Sequence, residues 1–155
     1  MAIRFILTDE DETLRKKSRP ITSFDHRLHV LIDDMFETMY ENEGVGLAAV
    51  QVGVLRRVVV IDVGEGKVEL INPEIIAQEG EQTVQEGCLS VPGKRATRKR
   101  PAKVKVRAFD RNGEPFEFEA EELFAVAVCH ECAHLDGELF YDDAIEVFDE
   151  EYEDE

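Results

Sequence analysis

The sequence predicts an α+β fold in which short antiparallel β-sheets surround a central helix, with one further helix nearer the N-terminus. Three observations predict this class. Apolar residues recur at helical spacing after residue 28, β-branched or alternating runs fill the middle of the chain, and helical composition returns from residue 121 to 135. The 155 residues suffice for one domain, which can bury roughly two thirds of its unfolded surface.

The first helix is predicted from an i, i+3, i+4, i+7 series of apolar residues. Ser23 or Asp25 can cap its start, and Gly44 can mark its end. The series consists of Leu28, Leu31, Ile32, Met35, Phe36 and Met39.

The strands are predicted from runs that Gly and Pro separate. "DRNG" at 110–113 has the composition of a hairpin turn, so most neighbouring strands are expected to be antiparallel. The runs cover 57–63, 68–76, 81–85, 102–110 and 115–120.

The second helix is predicted over "EELFAVAVCHECAHL", from Glu121 to Leu135, with Gly137 just beyond its end. Apolar residues occur on every side of it, which indicates a central, mostly buried helix. One face carries Leu123, Val126, Ala127, His130 and His134.

Charge is unevenly distributed in this chain of net charge −17, which opposes stable association with nucleic acid. Residues 142–155 hold nine acids and no base, and we expect a domain over 1–145 followed by a solvated acidic tail over 146–155. Residues 94–107 hold eight of the 18 Lys and Arg; they could contact ribosomal RNA, form a solvated strand edge or pair with the protein's own acids.

The location expected for the protein is the cytoplasm. No apolar run approaches the ~18 residues of a membrane span, and the opening residues are too acidic for a signal peptide. Three cysteines, an odd number, favour a reducing compartment over a disulfide framework.

The segment "CHECAHLDG" at 129–137 contains the spacing His-Glu-x-x-His. Positions i and i+4 are neighbours on a helix, so His130 and His134 can bind one ion, and Glu131 can reach a water beside it. A hydrogen-bonded core histidine is the commoner role for a His in an apolar helix.

A catalytic site of this kind needs a third protein ligand. The pattern His-Glu-x-x-His-x-x-Gly-x-x-His would require histidine at position 140, which is Phe140, and too little chain remains for a ligand helix carrying Glu146 or Glu150. A zinc endopeptidase is therefore disfavoured.

The remaining candidate ligands are thiols. Cys129 and Cys132 project about 100° and 200° away from His130 on the helix, so they are interpreted as core residues; a structural zinc or redox pair is the alternative. Cys88 lies in a loop beside Gly87 that can turn toward the helix, and thiolate is a strong ligand for Zn²⁺ or Fe²⁺.

Three segments together resemble the signature motifs of the peptide deformylase family: "GVGLAAVQ" at 44–51, "EGCLS" at 86–90 and "HECAH" at 130–134. The likeness extends over most of residues 5–142. It implies a hydrolase that removes the formyl group from the N-terminal formylmethionine of new polypeptides. It also implies one divalent metal, with Fe²⁺ the usual native ion and Zn²⁺, Ni²⁺ or Co²⁺ possible occupants.

The resemblance also implies a role for each matching residue. Cys88, His130 and His134 would be the metal ligands, and Glu131 the general acid/base that deprotonates a metal-bound water. The resulting hydroxide would attack the formyl carbon. Gln51 and the backbone N–H of Leu89 would stabilise the oxyanion.

The residues expected around the substrate are a group that lines an apolar pocket and one charged residue that supports the site. An apolar pocket for methionine would be lined by Val45, Gly46, Leu123, Val126 and Ala127. The resemblance places Glu86 near the site, paired with an arginine such as Arg100; the alternative is a solvent-exposed glutamate.

Two features depart from the family pattern. Ala133 occupies a position that is commonly polar, so one hydrogen bond around the metal would be missing. The basic C-terminal helix with which some members dock on the ribosome is replaced by acids, which leaves at most a transient contact through 94–107. The rival hypotheses are a nonenzymatic member that binds formyl-Met peptides or nucleic acid, and a structural metal or redox module built on Cys129 and Cys132.

Overall fold

The computed structural model describes residues 2–149. Within them the chain forms the α-helices α1 (His26–Glu41) and α2 (Glu122–Leu135) and two short 3-10 helices, Glu12–Arg15 and Ala49–Val52. The strands are β1 (Gly46–Ala48), β2 (Val58–Ile61), β3 (Val68–Glu79), β4 (Gln82–Cys88), β5 (Val91–Arg100), β6 (Lys103–Phe109), β7 (Pro115–Glu121) and β8 (Glu146–Asp149). The predicted α+β class is confirmed.

The strands form one sheet of order β1-β2-β3-β6-β7 and a second of order β4-β5-β8. Every pair is antiparallel. The predicted hairpin turn at 110–113 joins β6 to β7, where the Gly113 N–H donates to the Asp110 carbonyl at 3.0 Å. Each of the five predicted runs overlaps a strand, although β3, β4 and β7 extend beyond the predicted ends.

Helix α1 begins where its sequence predicts. The Asp25 carboxylate accepts a hydrogen bond from the Leu28 N–H at 3.1 Å, which satisfies one of the free donors of the first turn. The six apolar residues of the predicted series are all buried. The helix ends at Glu41, and the Gly44 N–H caps it by donating to the Met39 carbonyl at 2.9 Å. The left-handed residue after the helix is Glu43, with φ 57°, and not the glycine.

Helix α2 lies at the centre of the molecule, as predicted. It packs against β1, β2, β6 and β7 of the larger sheet and against β5 of the smaller one. Its apolar residues, including Ala125, Val128 and Leu135, are buried in the main core. Gly137 follows the helix with φ 77°, a left-handed conformation that glycine adopts without strain.

The basic stretch and the beginning of the acidic tail pair in one sheet. The basic stretch forms much of β5, and four residues of the acidic tail form β8 alongside it, with Lys94 opposite Asp149 and Thr97 opposite Glu146. Residues 146–149 thus pair with β5 and do not form a free tail, although three of the four remain exposed to solvent, as expected. Positions 150–155 lie outside the described residues.

No helix within residues 2–149 is long and apolar enough to cross a membrane.

A chain that ends at residue 145 is expected to melt at a lower temperature than one that ends at residue 149. The shorter chain loses the four cross-strand pairs of β8, each contributing about 0.2–1 kcal/mol. Thermal unfolding followed by circular dichroism compares the two chains. Equal melting temperatures would show that β8 adds no stability.

Candidate metal and active site

Three ligand-type side chains converge beside α2. The ligand atoms of Cys88, His130 and His134 all lie within 4.8 Å of one another. The Cys88 Sγ is 3.3 Å from the His134 Nε2, and the two imidazole rings are 5.0 Å apart between centroids. One thiolate and two imidazoles suit Zn²⁺ or Fe²⁺ and leave coordination positions open, so these residues fit a divalent cation.

Each ligand owes its place to a different local feature. His130 and His134 are one turn apart on α2, and both are buried. Cys88 is the last residue of β4, where the register of the β4-β5 hairpin shifts between Glu86 and Cys88. This irregularity frees the Cys88 side chain from the strict alternation of a strand.

Glu86 holds His130 from behind. Its carboxylate accepts a hydrogen bond from the His130 Nδ1 at 2.8 Å and a two-pronged ion pair from Arg100, at 2.7 Å from Nε and 2.9 Å from Nη2. Burial alone would raise the pKa of Glu86, but Arg100 and His130 outweigh it and lower the pKa to about 2. Glu86 is thus an anion at neutral pH and leaves the Nε2 of His130 for the ion.

The Glu131 carboxyl group lies beside the ligands in an apolar setting. Burial raises the pKa of Glu131 to about 7, although His130 opposes this effect. Its Oε1 has no hydrogen-bond partner in the part of the chain that the structure describes. A carboxyl group with a pKa near neutrality can both accept and return a proton.

Gly46 allows this carboxyl group to occupy its position. A Cβ on Gly46 would lie 2.5 Å from the Glu131 Oε2, closer than side chains approach. Strand β1 therefore needs glycine at this point for steric reasons.

Gln51 is directed at the same centre by the 3-10 helix that follows β1. Its Oε1 accepts the Ala48 N–H at 2.9 Å, and its Nε2 donates to the Ser90 Oγ at 3.0 Å and points to the Cys88 Sγ at 3.5 Å. Gln51 is buried, so these bonds fix the orientation of its amide.

His134 differs from His130 in its surroundings. Burial, followed by repulsion from His130 and Arg100, lowers the pKa of His134 well below its usual value, which favours the neutral imidazole that a metal requires. Its Nδ1 has no hydrogen-bond partner among residues 2–149, and the neighbouring Ala133 offers no polar side-chain atom.

A cavity of about 410 Å³ opens onto this centre. Leu123 and Val45 are about half exposed at its mouth, and Glu131 and His130 lie among its lining residues. Every residue expected to bind substrate lines the cavity: Val45, Gly46, Glu86, Leu123, Val126 and Ala127. Leu89 lines it as well.

Comparison with known proteins decides the family. The model of the family described as polypeptide deformylase matches residues 3–148. The chain belongs to the peptide deformylase family. A peptide deformylase of Acetivibrio thermocellus is 60% identical over 97% of this chain and 89% of its own length, and one of Alkaliphilus metalliredigens is 59% identical over 94% and 99%. The chain is accordingly an enzyme of the deformylase type.

Solved structures of the family show the same fold. A peptide deformylase from Legionella pneumophila superposes with a TM-score of 0.87 at 49% identity, covering 90% of this chain and 84% of that one. One from Synechococcus elongatus, in complex with actinonin, gives 0.90 at 38% identity, covering 92% and 79%.

Sequence reasoning missed part of the deformylase cavity wall. The segment after Cys88 continues along the cavity, and its contribution carries no periodic signal, because Pro92 and Gly93 interrupt the strand pattern and two charged residues follow them. The residues concerned are Val91, Pro92, Gly93, Lys94 and Arg95, with Gln85 on the neighbouring strand. The thiols Cys129 and Cys132 pack in or against the main core, as predicted.

Replacing Arg100 with Met is expected to lower the free energy of unfolding of the metal-free protein by about 3 kcal/mol or more, because Glu86 would stay buried without its two-pronged partner. Urea unfolding measures this loss.

Arg107→Met is the matched control. The Arg107 side chain is about half exposed and pairs with the exposed Glu117 at 3.3 Å, so its loss should cost less than about 1 kcal/mol. Equal losses in the two variants would contradict the structural role of the Glu86 pair.

Proposed function

We propose that the chain is a metal-dependent hydrolase that removes the formyl group from the N-terminal formylmethionine of newly made polypeptides. The observation that carries the proposal is the convergence of Cys88, His130 and His134 beside Glu131 in an open cavity. The family membership narrows the reaction to deformylation.

Cys88, His130 and His134 would hold one divalent cation, for which we propose Fe²⁺ as the native ion and Zn²⁺, Ni²⁺ or Co²⁺ as possible substitutes. When bound, such a cation polarises a carbonyl group and makes water acidic. Glu86 supports the set because its hydrogen bond fixes the ring of His130 and makes that ring a stronger donor to a cation.

Glu131 would move the protons of the reaction. Water attacks the formyl carbon while Glu131 accepts its proton, and the same carboxyl group then delivers a proton to the nitrogen as the C–N bond breaks. Formate and a free N-terminal amine result. In the metal-free protein, burial raises the pKa of Glu131 to about 7. A cation bound beside it would favour the ionised form, which accepts the first proton.

The oxyanion that forms at the formyl oxygen would be stabilised by the Gln51 amide and the backbone N–H of Leu89. Both residues line the cavity next to Cys88. The Gln51 Nε2 is already directed toward this point by the hydrogen bond between its Oε1 and Ala48. Donors held in place before the reaction stabilise developing charge most effectively.

Methionine recognition would come from the apolar part of the cavity. Val45, Leu123, Val126 and Ala127 supply apolar surface, and Gly46 lines the cavity beside them. A formyl group and one unbranched side chain require little space, which fits a cavity of about 410 Å³.

We further propose that residues 1–145 form the catalytic unit and that the enzyme acts in the cytoplasm, where nascent chains emerge. Contact with the ribosome would be transient. The net charge of −17 opposes stable binding to RNA, and β8 pairs acidic residues with the basic strand β5.

Glu131→Gln is expected to retain the bound metal but to lose at least about 100-fold in kcat, since the amide cannot carry protons. Formate release from a formyl-Met peptide measures turnover, and metal analysis of the same sample is the control. Unchanged formate release in this variant would point to a contaminating enzyme and favour a nonenzymatic binding protein.

Cys88→Ala is expected to lose both the bound metal and formate release, because two imidazoles alone form an incomplete site. The double variant Cys129→Ala/Cys132→Ala should keep one metal per chain. The opposite result, metal lost with the double variant and kept with Cys88→Ala, would overturn the ligand assignment.

A further inference from the structure

The contacts around His130 include a residue pair that neither the motifs nor the catalytic roles use. Phe140, in the loop after α2, lies against the His130 ring with centroids 5.8 Å apart and planes 24° apart. The Phe140 side chain is 2% exposed. The His130 ring is thus fixed at its Nδ1 by Glu86 and across one face by Phe140.

Phe140 also lies close to the third ligand-type residue, Cys88. It forms a small core cluster with Val91 and Ala96 of β5, and Cys88 packs against this cluster. A shift of Phe140 would therefore disturb the surroundings of both His130 and Cys88.

Arg98 ties the Phe140 loop to the sheet. Its Nη1 donates a hydrogen bond to the Phe140 carbonyl at 3.1 Å, and its Nε lies 4.0 Å from the Glu86 Oε2. The side chain is 16% exposed. Arg98 and Arg100 are two apart on β5 and so lie on the same face of the strand.

The two arginines have different tasks on this face. Arg100 is engaged by the carboxylate through two short contacts. Arg98 is held near Arg100 despite their like charges, and burial together with this repulsion lowers the pKa of Arg98. Its short contact is with a backbone carbonyl of the loop, which is the expected use of a guanidinium that links two segments.

A second set of polar contacts holds the Phe140 loop from its outer side. The Asp142 carboxylate accepts the Leu139 N–H at 2.9 Å and pairs with Arg15 at 2.7 and 3.1 Å. Since Asp142 already fixes the loop, loss of Arg98 should release the inner contact without unfolding the segment.

We propose that Arg98 is a positioning residue for the metal ligands. It acts on the His130 ring by two routes: through Phe140, which lies against the ring, and through the Glu86 carboxylate, which orients the ring. The inference rests on the proposed metal site and goes beyond it, because it assigns ligand geometry to a residue outside the ligand and proton-transfer groups. Groups that orient ligands typically change metal affinity or activity by about 10–100-fold when they are lost.

The test uses the full chain loaded with Zn²⁺ or Co²⁺. Arg98→Met keeps the length of the side chain and removes its donors. It is expected to release Zn²⁺ to a chelator roughly tenfold faster than the unchanged protein. It should also shift the visible absorption bands of the Co²⁺ form and lower kcat with little change in KM.

Two further variants separate positioning from general stability. Arg98→Lys keeps one donor and should partly restore slow metal release. Lys99→Ala is the matched control, because Lys99 is 61% exposed and its partner Glu81 lies 3.8 Å away at the surface; metal release and spectrum should stay unchanged. Phe140→Leu keeps an apolar side chain without an aromatic ring and should reproduce the effects of Arg98→Met, which covers the case in which Arg98→Met folds poorly.

The proposal would be overturned if both Arg98→Met and Phe140→Leu released metal within twofold of the rate of the unchanged protein and gave the same Co²⁺ spectrum within error. It would also be overturned if the metal-free variants melted at a lower temperature while their rate of metal release stayed unaltered. If the unchanged protein binds metal but yields no formate, the proposed function fails, while the comparison of release rates still decides the role of Arg98.

Discussion

The buried ion pair between Glu86 and Arg100 is the interaction on which the site depends. A carboxylate enclosed by protein is costly unless strong donors surround it. Arg100 supplies two such donors, and the charge that it secures then orients His130 through Nδ1. Strand β4 carries both Glu86 and Cys88. The Glu86–Arg100 ion pair that supports His130 therefore also holds the strand that carries Cys88.

The position of α2 makes this arrangement possible. A helix with apolar side chains on every side is stable only where protein covers it, and both sheets contribute strands to that cover. Polar groups on such a helix must find partners or shift their pKa values. His130 finds Glu86, whereas the pKa of Glu131 is raised to about 7, so burial itself prepares the acid/base group.

The elements that could be predicted from the sequence are those with a strong period. Helix α1 and its Asp25 cap, the central helix, and a strand overlapping each of the five runs follow from spacing and turn residues. Strand β5 could not be predicted from an apolar pattern, since its only buried residues are Val91, Ala96 and the charged Arg100. Strand β8 is stabilised by its basic partner, a tertiary effect that no local pattern in an acidic segment records.

Part of the candidate site could likewise be predicted from the sequence, and part could not. The helical histidines and Glu131 were visible in one motif, and Cys88 followed from the failure of the other ligands. The contacts of Phe140 and Arg98 were not predictable, because they join three segments that lie far apart in the sequence. At the sequence level Phe140 served only to exclude a histidine.

X-ray absorption at the metal edge of the Zn²⁺-loaded enzyme tests the central claim most directly. One sulfur at about 2.3 Å and two imidazole nitrogens at about 2.0–2.1 Å are the result that Cys88, His130 and His134 predict. Two or more sulfurs, or none, would contradict a site organised by Glu86 and His130, since Cys129 and Cys132 pack with the main core and offer no ligand to this group.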